Sequence, residues 1–189
     1  MLNPTGARMA LLMRTSTLAT IFLWAATIES PALAQRGATS GSGTPPASCR
    51  VTKPSDAPFV PPLPYSSAPW ADGFWFGTPQ LWTALPRSGV WKGLPHYTPS
   101  DPTFRQKSPW WREGYRRHAS PESNLTVTGE RVDAVAPALL SDHANSVWED
   151  SQPDQPFMMT GLNFPTVGCW RVTGHYAGYD VSYVVWITQ

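Results

Sequence analysis

Hydrophobic and polar residues alternate most regularly near the C-terminus of the chain. Over Asp180–Thr188, one face of the pattern is wholly apolar or aromatic, and the other carries Ser182, Val184, Trp186 and Thr188. Because successive side chains of a strand point to opposite faces, this alternation predicts a half-buried β-strand. The link Ala177-Gly178-Tyr179 supplies a glycine for a tight hairpin turn from a preceding strand over Cys169–Tyr176.

The rest of the chain after residue 70 shows short apolar runs without helical spacing. Pro or Gly interrupts almost every ten residues, which argues against long helices. Runs rich in β-branched and aromatic residues between turn residues are typical of strands. We therefore expect residues 49–189 to form an all-β domain, a compact antiparallel immunoglobulin-like β-sandwich. The remaining strands are predicted near Phe74–Phe76, Gln80–Leu85, Val90–Trp91, Lys107–Arg112, Leu125–Val132, Ala138–Ser141 and Met158–Leu162.

The N-terminal residues 1–34 have the pattern of a cleavable signal peptide. Arg8 and Arg14 precede an apolar run of 11 residues, Leu18–Ile28, and Ala32 and Ala34 provide the small side chains of a cleavage site after Ala34. A retained membrane anchor is the alternative, but a helix needs roughly 20 apolar residues to cross a bilayer. The pattern predicts export to the periplasm or the extracellular space, without a stable transmembrane anchor.

Two segments precede the strands. Residues 35–48 carry no large apolar side chain and are predicted to be a flexible linker, since such a stretch cannot offset its own ordering entropy. Residues 54–69 are rich in proline but also contain Phe59, Val60, Leu63 and Tyr65. This mixture predicts an extended segment that lies on the domain.

The two cysteines of the chain, Cys49 and Cys169, both lie in the part predicted to be exported. Two thiols in an oxidising compartment usually pair, so we expect a structural disulfide that clips the N-terminal segment to the outside of the C-terminal hairpin. A lipidated Cys49 is the alternative, but the preceding Pro46-Ala-Ser48 lacks the large apolar residue expected there. Gly168 would relieve crowding beside Cys169 or adopt a positive φ.

Removal of residues 1–34 would leave a chain without formal net charge. Arg8, Arg14 and Glu29 are lost, and twelve basic and twelve acidic residues remain. A neutral surface exerts no long-range attraction on phosphate backbones. The cluster Arg112, Arg116 and Arg117 is interrupted by Glu113. We therefore expect no nucleic-acid partner.

Several motifs of the predicted domain occur together in one known group of proteins. Phe164-Pro-Thr-Val-Gly-Cys-Trp-Arg-Val-Thr-Gly174, followed by Val181-Ser-Tyr-Val-Val-Trp-Ile187, resembles the ending of a family of uncharacterised bacterial exported proteins and lipoproteins. The resemblance covers residues 49–187 and departs at Val132, where the family has Leu, and in the Pro-rich stretch between Thr52 and Trp70. It implies export and a compact β-fold, and it carries no established activity. The other matching motifs begin at Cys49, Leu81, Leu85, Gly89, Lys107 and Leu125.

Tryptophan is the most prominent candidate for binding chemistry, with nine residues after the signal peptide. Exposed indoles stack on sugar rings, so Trp75, Trp82, Trp91, Trp110 and Trp111 are candidates for a ligand platform. The favoured interpretation is that these large side chains pack in the core of a small domain or under a loop, and the ligand platform is the alternative. Since Trp110 and Trp111 are adjacent on one predicted strand, their side chains must point to opposite faces. At least one of them should lie outside the main core or under a loop.

Catalytic and metal-binding patterns are weak. His96, His118, His143 and His175 lack the short spacing of metal sites, so no metal or other cofactor is expected. A hydrolytic set can be written around Asp142, His143 and Glu149 with Ser141 or Ser146, but triads are defined by geometry. Glu113, Glu130 and Asp133 could pair as acids for glycoside cleavage, but such a pair needs a separation fixed by the fold, and surface or strand-end ion pairing is the favoured interpretation. No catalytic residue is assigned.

The sequence thus predicts an exported, non-enzymatic β-domain that acts as an envelope-associated or secreted accessory or binding module. One alternative is a carbohydrate- or peptidoglycan-binding module that uses exposed tryptophans, with a glycan or another cell-envelope component as its partner. A second alternative is a hydrolase with an unrecognised site.

Overall fold

The computed structural model describes residues 43–92, 94–95, 101, 103–116, 123–149 and 152–189. All regular secondary structure in these ranges is β-structure, and they contain no helix. The predicted all-β class is therefore confirmed. The strands are β1 (Gly73–Thr78), β2 (Leu81–Pro86), β3 (Val90–Lys92), β4 (Leu94–Pro95), β5 (Phe104–Trp111), β6 (Thr126–Arg131), β7 (Leu140–Ser141), β8 (Asn145–Glu149), β9 (Gln152–Phe164), β10 (Gly168–Tyr176) and β11 (Tyr179–Thr188).

The strands form two sheets that pack together as a β-sandwich. The large sheet has the order β1-β2-β5-β9-β7, with β4 paired to β5 and β8 paired to β9. The small sheet has the order β3-β11-β10-β6, in which the β3–β11 pair is parallel and the other pairs are antiparallel. Each of the nine predicted strands overlaps an observed one.

The prediction missed β4, β8 and the first half of β9. Pro153 and Pro156 interrupt the apolar pattern there, so only Met158–Leu162 was predicted to be a strand. The register explains why these prolines are tolerated. Pro153 and Pro156 have no partner in the β8 register, which shifts between Gln152 and Phe157, and β5 pairs with β9 only from Met158 onward. Proline removes a ladder donor, and a strand edge without a second partner does not need that donor.

The main core lies between the inner faces of the two sheets. The predicted apolar face of β11 is buried there, and it comprises Val181, Tyr183, Val185 and Ile187. Trp110 of the large sheet packs into a gap that Gly174 leaves in the small sheet, where an added Cβ would lie 2.5 Å from the Cη2 atom of Trp110. Burial raises the pKa of Tyr183, and the smaller effect of the nearby Ser108 hydroxyl lowers it.

The turn between β10 and β11 consists of only two residues, as the tight-hairpin prediction requires. Tyr176 pairs with Tyr179, and the intervening Ala177 and Gly178 have φ values of 51° and 82°. Positive φ at both central positions is the feature of a type I′ turn, whose twist matches that of the flanking strands. Ala177 therefore adopts a left-handed conformation that favours glycine or asparagine.

The predicted disulfide between Cys49 and Cys169 is present. Trp170 and Val172 face the main core, whereas Cys169 lies on the opposite face of β10. The bridge packs there with Trp186, so it clips the N-terminal segment to the outside of the C-terminal hairpin. This placement supports a structural staple.

Gly168 meets both expectations for a glycine before the bridge. Its φ is 139°, and the guanidinium of Arg131 occupies the space that a side chain would need. Arg131 in turn donates to Asp133 over 2.7 Å, and the Asp133 carboxylate accepts a hydrogen bond from the backbone N–H of Cys169 over 3.1 Å. The disulfide and the end of β6 are thus tied by one small polar network.

The Pro-rich segment lies on the outer face of the large sheet, as predicted. The rings of Phe59 and Tyr65 contact Trp82 at centroid distances of 5.6 Å and 5.2 Å. The side-chain amide of Gln155 in β9 donates to the carbonyl of Pro64 over 3.0 Å. The sheet is therefore apolar on both faces, and this segment covers part of the second one.

The predicted signal peptide and most of the predicted linker lie outside the described residues. Residues 43–48 are described and mostly exposed, and the N–H of Cys49 donates to the carbonyl of Pro46. Within the described ranges, no helix has the length and apolar character that a bilayer span requires.

Candidate functional site

The structure buries most of the tryptophans that were candidates for a ligand platform. Trp82 and Trp110 are fully buried, and Trp75 and Trp91 are nearly so. The prediction of an exposed platform is therefore wrong for these four residues, because an indole inside a core cannot offer its face to a ligand. Trp111 alone of the five is half-buried.

Trp110 and Trp111 point to opposite faces of β5, as their adjacency predicted. Trp110 enters the main core between the sheets. Trp111 lies on the outer face of the large sheet and packs against the cluster of Tyr65, Trp75, Trp82 and Ala84. Of this pair, only Trp111 is therefore in a position to contact a ligand.

An open cleft lies on the outer face of the large sheet, beside the part that the Pro-rich segment covers. We call it the aromatic cleft, and its volume is about 270 Å³. It exists because β5 and β9 direct apolar side chains outward as well as inward, and the Pro-rich segment does not cover all of them. The described residues that line it are Ser66, Pro69, Trp70, Trp75, Pro109, Trp111, Gln155, Phe157 and Met159.

Trp70 forms the exposed wall of the aromatic cleft. Its indole lies against the backbone of Gly73, where an added Cβ would be 2.6 Å from Cε2 and 2.8 Å from Cδ2 of the ring. The absence of a side chain at Gly73 lets one side of the ring pack against the strand. With 42% of its surface exposed, Trp70 presents the remainder to solvent. The sequence analysis missed this residue, and its signal was a tryptophan three positions before a glycine at the start of a strand.

The inner wall of the aromatic cleft is held rigidly by ring contacts and a hydrogen bond. Trp111 contacts Trp75 edge to face at 4.9 Å and Phe157 at 5.3 Å between ring centroids. The indole N–H of Trp75 donates to the carbonyl of Ser66 over 2.8 Å, which fixes the ring and also anchors the Pro-rich segment. A ligand would therefore meet walls that are already ordered, which lowers the entropic cost of binding.

The chemistry of the aromatic cleft is neutral. None of the described residues that line it is charged, and its polar side chains are those of Ser66 and Gln155. The amide of Gln155 is held in place by its bond to Pro64. Aromatic faces combined with a few fixed polar groups suit an uncharged ligand that has both apolar and hydroxyl surfaces.

Comparison with protein-family models, curated proteins and solved structures yields no match to this chain. The resemblance to exported proteins and lipoproteins therefore stays a prediction.

The described side chains of the predicted hydrolytic set do not form a triad, and the side chain of Glu149 lies outside the described part. Asp142 and His143 lie on the exposed connection between β7 and β8. The carboxylate of Asp142 accepts a hydrogen bond from the amide of Asn163 over 3.2 Å and lies 3.8 Å from the guanidinium of Arg105. Ser146 is hydrogen-bonded to the hydroxyl of Tyr115. Nothing in this geometry orients His143 toward a nucleophile.

Two of the three candidate acids for glycoside cleavage, Glu130 and Asp133, form ion pairs. Asp133 binds Arg131 and the backbone of Cys169, and Glu130 binds Arg171. Burial raises the pKa of Asp133, but the hydrogen bonds from Arg131 and Cys169 and the Arg131 charge outweigh it, so its pKa lies below the ordinary value. An acid with a lowered pKa is a poor proton donor at neutral pH, which does not suit the general-acid role.

A hydrogen-bonded chain that the sequence analysis did not predict crosses the outer face of the small sheet. His175 Nδ1 lies 2.8 Å from Asp180 Oδ1, and its Nε2 lies 3.1 Å from Thr128 Oγ1. The two-residue hairpin turn places His175 opposite Asp180, so this contact could have been derived from the register. Among the described residues, no group of three or more His, Cys, Asp or Glu could hold a metal ion.

Proposed function

We propose that this protein is an exported, non-enzymatic binding module whose aromatic cleft binds a neutral glycan of the cell envelope or its surroundings. The single observation that carries the proposal is the position of Trp70. Its indole is packed on one side against Gly73 and exposed on the other, above a cleft without charged lining residues.

The physical argument is that a pyranose ring has one relatively apolar face and a rim of hydroxyl groups. The apolar face gains burial and dispersion contacts on a flat indole, and the rim needs hydrogen-bond partners. Trp70 and Trp111 supply the aromatic contacts, and Gln155 and Ser66 supply polar groups at the same cleft. The lack of charged lining residues favours an uncharged saccharide over an anionic polymer.

Two features of the chain support the export part of the proposal. The signal-like pattern of residues 1–34 predicts secretion. The Cys49–Cys169 bridge is consistent with an oxidising compartment. We also propose an immunoglobulin-like topology for the sandwich, on the basis of its two packed sheets and its C-terminal hairpin.

The decisive experiment is a glycan array followed by titration calorimetry on the purified chain without residues 1–34. The array should contain neutral β-linked oligosaccharides, including oligomers of glucose and of N-acetylglucosamine, and anionic polysaccharides as the comparison. We expect binding to neutral oligosaccharides. Trp70→Ala and Trp111→Ala should each weaken it about tenfold or more, the scale of losing a hot-spot aromatic contact.

Tyr179→Ala is the matched control. Tyr179 is a half-exposed aromatic residue on another part of the surface, so its removal should leave glycan affinity unchanged. Circular dichroism of each variant would establish that the sandwich is intact. The absence of binding to any neutral glycan would refute the proposal, and so would a folded Trp70→Ala variant with wild-type affinity.

A further inference from the structure

A second cleft lies at the side of the sandwich, between the edge strand β1 and the start of β11. Its volume is about 440 Å³, within the range of binding sites in proteins. Residues of the segment 53–59 form its third wall. The described residues that contribute most to the argument are Lys53, Phe59, Trp75, Phe76, Gly77 and Asp180.

The strand β1 is the end of the large sheet and pairs only with β2 among the described residues. The N–H of Gly73 points away from β2, because it donates to the carbonyl of Trp70. Backbone groups alternate in direction along a strand, so the N–H and C=O of Trp75 also face away from β2, toward the cleft. An edge strand with outward-facing backbone groups beside a cleft that contains aromatic side chains is a template for another extended chain.

The opposite wall of this cleft is also a strand with a free edge over part of its length. The parallel partner β3 covers only Trp186–Thr188 of β11, and Thr52 bonds the backbone of Val184. Residues 180–182 of β11 line the cleft. An inserted chain would therefore lie between an edge of the large sheet and an edge of the small sheet.

From this geometry we propose that β1 binds an extended peptide by strand addition. The backbone of the peptide pairs with β1, and successive side chains of the peptide point to opposite faces of the sheet, so that apolar side chains pack on Phe59 at the outer face and on Phe76 at the inner face. A basic side chain is placed near the carboxylate of Asp180, which is 65% exposed, lies on the rim and also contacts His175 Nδ1 over 2.8 Å. Strand addition obtains affinity from main-chain hydrogen bonds and specificity from alternate side chains. This site is separate from the glycan proposal, although Trp75 borders both clefts.

The test uses a displayed library of seven-residue peptides, selected against the purified chain without residues 1–34. We expect enriched sequences with neighbouring apolar residues, one for each face, and a Lys or Arg. The best peptide is then synthesised in two forms, each N-methylated at every second amide. One form should lose about tenfold or more in affinity, because its methyl groups replace the donors that pair with β1, whereas the other should bind within about threefold of the parent.

Asp180→Asn tests the placement of the basic side chain, and Asp56→Asn is the matched control because Asp56 is exposed and does not line the cleft. Asp180→Asn should weaken the parent peptide severalfold, and Asp56→Asn should not. If no peptide is enriched, or if both N-methylated forms bind equally well, strand addition is wrong. A further outcome would count against a separate site: a neutral glycan displaces the peptide, while the two N-methylated forms still differ in affinity as before.

Discussion

The indole of Trp70 rests on the backbone of Gly73, and this contact is possible only because Gly73 has no side chain. An ideal Cβ at position 73 would lie 2.6 to 2.8 Å from three atoms of the ring, which real Cβ atoms do not tolerate. The contact orients the exposed surface of Trp70 over the aromatic cleft. The geometry of the proposed glycan site therefore depends on the absence of a side chain at Gly73 in β1.

Gly73→Ala should displace the Trp70 ring and weaken glycan binding about tenfold, with a smaller effect on folding. The loss of stability should stay near 1–2 kcal/mol, since Trp70 is already partly exposed and can move outward. Calorimetric titration and urea denaturation measure the two effects. Gly43→Ala is the control, because an added Cβ there meets nothing within 4 Å. Wild-type affinity in Gly73→Ala would show that the orientation of Trp70 is not needed.

Removal of the disulfide should destabilise the domain strongly. The bridge closes a loop with a sequence separation of 120 residues, for which chain entropy gives about 4–5 kcal/mol. The paired variant Cys49→Ala/Cys169→Ala should therefore lower the free energy of unfolding by that order, measured by urea denaturation. Added reductant should destabilise the wild type to a similar extent and leave the paired variant unchanged. A loss below about 1 kcal/mol would contradict the role of a structural staple.

Ala177→Asn should stabilise the C-terminal hairpin. Ala177 has a φ of 51°, and the left-handed region costs an ordinary L-residue about 1–2 kcal/mol, part of which asparagine avoids. A gain of about 0.5–1 kcal/mol is expected in thermal or urea unfolding. Gly178→Ala is the reverse test, since it adds a side chain at a φ of 82° and should destabilise the domain. The type I′ assignment fails if Ala177→Asn lowers stability.

The Asp133 carboxylate should make the stability of the domain fall as the pH becomes acidic. Its pKa is below the ordinary value in the folded chain, so folding favours the ionised form. This contribution is complete above the unfolded pKa near 4 and is lost as the pH falls through the folded pKa. Asp133→Asn should cost about 1–2 kcal/mol at pH 7 and progressively less below pH 4.

Urea denaturation between pH 7 and pH 2 measures the difference between the wild type and Asp133→Asn. Glu130→Gln is the matched control, because Glu130 forms a solvent-exposed ion pair with Arg171, and such pairs contribute little. A difference that stays constant over this pH range would show that the charge of Asp133 is not the source of its effect.

Local pattern was sufficient to predict much of the fold. The alternation over Asp180–Thr188 predicted which face of β11 is buried, and the glycine at position 178 predicted a tight hairpin turn. The pairing of Cys49 with Cys169 followed from having two cysteines in a chain predicted to be exported. The buried face and the turn depend on the side-chain period and the turn conformation of one short segment. The cysteine pairing depends only on the number of cysteines in the chain.

The site required the tertiary structure. The sequence predicted that Trp110 and Trp111 point to opposite faces of a strand, but not which of these faces the second sheet or the Pro-rich segment would cover. Burial of Trp75, Trp82 and Trp91 and exposure of Trp70 are decided by residues far away in sequence. What the chain determines by itself is the direction of each side chain from its strand. What lies opposite that side chain is set by packing between segments that are distant in the sequence. The alternation of residues along one strand carries no information about this packing.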